Sequence, residues 1–77
     1  MQTHAFQLRP AQEFIELHKL LKFLGIAESG AAAKALVADG AVTVDGAVEL
    51  RKACKIHAGQ VVETADARIT VSAGPVA

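Results

Sequence analysis

Between Leu50 and Val62 the chain carries no acidic residue, while Arg51, Lys52 and Lys55 stand there with His57. Cations at such short spacing suit an anion, and phosphate above all. Arg51 offers a planar fork that can take a phosphate bidentately, and the lysines act as mobile point charges. Contacts of this kind position a nucleic acid without reading its bases. Without such a partner the same side chains are an ordinary solvated loop. Cys54 and His57 also lie close together, but a zinc site takes roughly four ligands, or three and a water. The remaining candidates, His4, His18 and scattered carboxylates, follow no ligand spacing. No metal is expected, and Cys54 reads as a small buried apolar thiol.

Catalytic chemistry finds less support. No carboxylate pair flanks a cleft, no nucleophile elbow occurs, and no glycine-rich phosphate loop follows a strand. In 77 residues there is little room for a water-excluding pocket. The reading is not an enzyme, with no cofactor.

Eight basic residues balance eight acidic ones, so the formal net charge is zero. Nucleic-acid partners usually select an excess of Lys and Arg, so here any cationic surface must be local. A single cysteine excludes an internal disulfide framework and points to a reducing compartment. The first residues lack the pattern of a secretory leader, and no stretch approaches the roughly 18 apolar residues of a membrane span. A cytoplasmic protein with no membrane partner is expected.

The elements that must position these cations can be read from hydrophobic spacing. Phe14, Leu17, Leu21 and Leu24, with Leu20 beside them, predict a helix from about Glu13 to Leu24, ended by Gly25. At about 100° per residue, Lys19 and Lys22 fall opposite that stripe and face solvent. Ser29 suits the N-cap of a second helix from Gly30 to about Asp39, with Ala33, Leu36 and Val37 inward and Lys34 beside them. Gly40 suits the left-handed position after it. The period then alternates through Val42 and Val44 to Asp45-Gly46, a hairpin signal, and on to Val48 and Leu50. Val61 to Thr64 and Arg68 to Ser72 are further strands, with turns at His57 to Gln60 and around Asp66. Residues 1–9 read as an edge strand or arm interrupted at Pro10, and residues 73–77 as a frayed tail. One domain follows, α+β in class, with two helices on a small antiparallel sheet.

The stretch from Leu17 to Glu49 resembles the RNA-binding domain of small-subunit ribosomal protein S-four, the αL motif. Leu17, Leu20, Leu21, Leu24, Ser29, Ala33, Leu36, Val37, Gly40, Val42, Val44 and Gly46 occupy the places of that pattern, which spans about 15–71. The Ala27-Glu28-Ser29-Gly30 link, the Thr43 to Glu49 hairpin and Arg51-Lys52-Ala53-Cys54-Lys55 are similar to short free-standing bacterial members. The chain departs from the family at Gly30, where many members have arginine, and at Asp45, where many have asparagine. The first removes a phosphate contact and the second adds a negative charge.

The resemblance implies structured RNA, ribosomal or transfer RNA, lying against the helix pair and the hairpin. The residues it singles out are Lys19, Lys22, Lys34, Arg51, Lys52 and Lys55, with Arg51 foremost. Phe23 is the exposed aromatic on which a base could stack. Reversing the charge of Arg51 and Lys52 is expected to weaken RNA binding with little change in stability. A second reading, favoured by the zero net charge, Gly30 and Asp45, is a domain of the same fold that docks on another protein, with the ribosome a further candidate partner.

Overall fold

The computed structural model describes residues 1–74. Its elements run β1 (Gln2–Leu8), β2 (Ile15–Glu16), α1 (Leu17–Phe23), α2 (Gly30–Ala38), β3 (Thr43–Val44), β4 (Ala47–Val48), β5 (Lys55–Ile56), β6 (Val61–Glu63) and β7 (Ala67–Ala73). Five strands form one sheet in the order β1-β7-β6-β3-β4, and β2 pairs with β5 in a second, two-stranded sheet. The α+β class holds. The sheet is mixed and not wholly antiparallel, because β1 enters it parallel to β7 while β6 and β7, β3 and β6, and β3 and β4 pair antiparallel.

The second helix follows its sequence signals closely. Ser29 has extended backbone, and its Oγ accepts from the Ala32 amide at 3.0 Å, satisfying a first-turn donor that the helix cannot. Gly40, at φ +75°, closes the other end by donating to the Val37 carbonyl, and the Ala41 amide reaches Leu36. Ala33 and Val37 are fully buried, Leu36 partly so. The hairpin is equally direct: Asp45 and Gly46 both take positive φ, 51° and 85°, as a two-residue turn between twisted strands requires.

The first helix starts four residues later than its spacing predicts. Ile15 and Glu16 are extended and pair with Ile56 and Lys55, which holds them out of the helix. Phe14 therefore lies before the helix and off the core stripe, half-buried, with its ring 6.0 Å from that of His57. Glu16 is the N-cap but makes no side-chain cap bond. The Leu17 and His18 amides instead donate to the Cys54 and Lys52 carbonyls at 2.9 and 3.0 Å, so a distant loop caps the helix. At the far end Gly25, at φ +74°, turns the chain out of the helix.

The core is aliphatic. Leu17, Leu20 and Leu21 of α1 and Val37 of α2 pack with Val42, Ile56, Val62, Ile69 and Val71 beneath them. Alternation along β7 buries Ala67, Ile69 and Val71 and leaves Arg68, Thr70 and Ser72 on the open face. One face of the sheet is thus covered by helices and the other is polar. The expected tail is shorter than read: Ala73 belongs to β7, and Gly74 is buried against the backbone of Leu8 and Arg9. The remainder of that tail, residues 75–77, lies outside the described residues.

Candidate nucleic-acid interface

The capping of α1 by residues 52 and 54 also joins two of the elements that carry the candidate cations. It fastens the loop after the hairpin to the first turn of the helix, and the His18 side chain reinforces it: Nδ1 lies 2.8 Å from the Lys52 carbonyl. A carbonyl can only accept, so Nδ1 carries a proton and Nε2 is left for a further partner. Lys52 and Lys55, on the loop and β5, are thereby joined to the helix that bears Lys19 and Lys22, and all four are exposed. Lys34 of α2 is exposed too, and it lies near enough to Glu16 to favour that carboxylate's charged form.

Two of the six cations are already engaged. Lys19 Nζ meets Glu16 Oε1 at 2.9 Å, and this hydrogen bond foremost lowers the Glu16 pKa. Arg51 is held more firmly. Its Nε and Nη2 donate to the two oxygens of Glu49 at 3.0 and 3.2 Å, and its backbone amide adds a third bond at 2.9 Å. The Glu49 side chain is only 17% exposed, against 78% for Arg51. These bonds bring the Glu49 carboxyl down from 4.5 to about 2 and raise the guanidinium. Arg51 thus neutralises a largely covered carboxylate, and reversing its charge would set two carboxylates against each other. The expectation that Arg51 can be reversed at little cost to stability does not fit this geometry; Lys52 and Lys55 have no such ties among the described residues.

Three other side chains sit differently from their sequence reading. Cys54 is half-buried, not fully buried, with Arg51 Nη2 3.8 Å from its sulfur. Burial, then the nearby Glu49, raises its pKa and keeps it a thiol. Phe23 is 73% exposed, yet it stands at the end of α1 remote from the 52–54 cap and meets Phe6 edge-on, centroids 5.4 Å apart. The aromatic nearest the loop cations is Phe14, whose ring centre lies 5.0 Å from Lys55 Nζ. Phe14 and His18 are the members of this surface that spacing did not single out. Phe14 was absorbed into a helical stripe it does not join, and His18 gains its place only through a contact 34 residues away.

Asp45 has a structural use that offsets its charge. Its Oδ1 accepts from the Val61 amide at 2.9 Å and its Oδ2 from Gln60 Nε2 at 3.3 Å, tying the hairpin turn to β6. Among the described residues no group of three His, Cys, Asp or Glu side chains could hold a metal ion. Among them, too, no helix is long and apolar enough to cross a membrane.

A helix pair on one face of a small sheet, its first helix capped by the loop after a β-hairpin, defines an αL-type α+β domain. The sequence pattern of the S4 domain matches residues 6–72, and the chain belongs to that family. YbcJ of Escherichia coli (strain K12) is 56% identical over 59 residues, 77% of this chain and 84% of that protein. YbcJ of Shigella flexneri is similar to the same extent. The solution structure of E. coli YbcJ, described as revealing an αL motif involved in RNA-binding, superposes with a TM-score of 0.70 at 47% identity, covering 94% of this chain and 90% of that one.

Proposed function

We propose that this chain is a non-catalytic cytoplasmic module that binds structured RNA, ribosomal or transfer RNA in class, through Lys19, Lys22, Lys34, Arg51, Lys52 and Lys55. The observation that carries this reading is the pair of hydrogen bonds from the His18 amide and Nδ1 to the Lys52 carbonyl, because it fastens the loop that bears Lys52 to the helix that bears Lys19 and Lys22. The similarity to YbcJ, whose αL motif is described as involved in RNA-binding, supports it. Spaced lysines on a rigid surface meet the phosphates of a folded RNA, and shape decides what fits.

Fluorescence anisotropy with a labelled ribosomal RNA hairpin, a transfer RNA and an unstructured single strand tests the proposal. The two folded RNAs should bind in preference, and Lys52→Glu with Lys55→Glu should weaken them by about tenfold or more, as loss of two phosphate contacts implies. Binding indifferent to both substitutions would refute it. The rival, docking on a protein with little RNA affinity, draws on the pairing of Lys19 and Arg51 with carboxylates. Partners recovered from lysate after ribonuclease treatment would favour that rival, whereas loss of all partners would favour RNA.

A further inference from the structure

The longest unpaired edge in the fold lies away from the lysines. β1 forms one side of the five-stranded sheet, and among the described residues nothing pairs with its outer edge. The direction of its free groups follows from one bond. The Gln2 amide donates to the Asp66 carbonyl at 2.7 Å, so the even-numbered residues of β1 bond toward β7. By strand alternation the amides and carbonyls of Thr3, Ala5 and Gln7 face outward. Edges are usually protected by shortness, charge, proline or a bulge. The opposite edge, β4, has two residues, whereas β1 has seven and none of them is Lys, Arg, Asp or Glu.

Beside this edge runs a groove of about 640 Å³, walled by Phe6, Ile15, Phe23 and Leu24 with Ala5 and Arg9. Phe23 is 73% exposed there, and Arg9 joins no ion pair among the described residues. We infer that the outer edge of β1 docks an extended segment of another protein, which adds to the sheet as a strand, sets apolar side chains into the groove and meets Arg9 with a carboxylate. Each feature selects a part of this occupant. Unpaired amides and carbonyls at alternate residues select extended backbone, the groove selects alternate apolar side chains, and the lone cation selects an acid. RNA would find mostly apolar walls, with Gln7 and Gln12 among them, and a single cation. A second copy of β1 could pair edge to edge, but Gln2 to Leu8 brings no carboxylate for Arg9.

The test is selection of random linear peptides on the immobilised whole chain, followed by titration of an enriched peptide against isotope-labelled protein. The expected peptides alternate apolar residues with an Asp or Glu and shift the amides of Thr3, Ala5 and Gln7. Arg9→Glu should weaken them about tenfold, as loss of a close charge pair does, and should redirect a fresh selection toward basic peptides. Ala5→Pro removes an outward amide without removing a bond to β7, so it should block binding while melting stays cooperative. Should that variant unfold, Phe23→Ser, at an exposed position, and Arg9→Glu carry the test. The inference is overturned if no peptide is enriched, if shifts map to another face, or if Arg9→Glu has no effect. It is equally overturned if sedimentation shows an edge-dependent dimer, or if an RNA oligonucleotide shifts the Thr3, Ala5 and Gln7 amides.

Discussion

A cation's worth to a phosphate ligand depends on what already holds it. Arg51, the foremost candidate by type, is the one most engaged, by both oxygens of Glu49. The pair predicts a distinct pH response. Glu49 has its pKa lowered to about 2 from 4.5, so its stabilising bond is fully present above the unfolded value and is lost as pH falls through that window. Thermal melts from pH 7 down to pH 2 should show the Glu49→Gln variant losing less stability below about pH 4.5 than the parent chain. Parallel curves would show that the carboxylate contributes nothing. Asp45 yields an opposite prediction for affinity. Asparagine tolerates the left-handed backbone and can keep the bond from Val61, while it removes a negative charge from the hairpin. Asp45→Asn should therefore melt within about 1 kcal/mol of the parent and bind a ribosomal RNA hairpin more tightly, measured by anisotropy at low salt. Weaker binding would mean that the Asp45 charge does not oppose the RNA.

Elements whose signals are local were legible in the sequence, and those fixed by distant contacts were not. α2 was readable because its cap, its alanines and Gly40 all act within a few residues, and the hairpin because Asp45-Gly46 alone meets its turn geometry. The cap gives a direct test: Ser29→Ala deletes the bond to the Ala32 amide and should cost about 1 kcal/mol in denaturant unfolding, with RNA affinity unchanged once folded. The start of α1 was not readable. Phe14 falls at helical spacing from Leu17 and Leu21, yet Ile15 and Glu16 are drawn into a two-residue pairing with β5, too short to show a period. β1 was legible as an edge strand, but its parallel partner, β7, lies some sixty residues further on and leaves no mark in the local pattern. The site divides in the same way. The candidate lysines can be picked out by type, but the joining of the Lys52 loop to the helix that bears Lys19 and Lys22 depends on the Lys52 carbonyl reaching His18. His18→Leu should keep the fold through the remaining backbone bond, loosen the loop, and speed hydrogen exchange of the Leu17 and His18 amides. Unchanged exchange would show that the imidazole adds nothing to the cap.

For the whole molecule, zero net charge means that no net attraction draws RNA in, and the proposed binding would have to rest on a few local cations. Their number can be counted by salt. Each phosphate contact releases counterions and contributes roughly −0.7 to −0.9 to the slope of log K against log salt. If all six cations engaged phosphates, the slope would be roughly −4 to −5. Lys19 and Arg51 are matched by Glu16 and Glu49, and as long as they stay paired they neutralise no phosphate. Lys22, Lys34, Lys52 and Lys55 remain, for a slope of roughly −3 to −4, or a loss of about 50- to 150-fold in affinity between 50 and 200 mM salt. Anisotropy titrations across that range with a ribosomal RNA hairpin measure it. A slope near −5 would show that RNA strips Lys19 and Arg51 from their carboxylates, and Glu16→Gln with Glu49→Gln would then tighten binding markedly. A slope near zero would remove the cationic surface from the binding altogether.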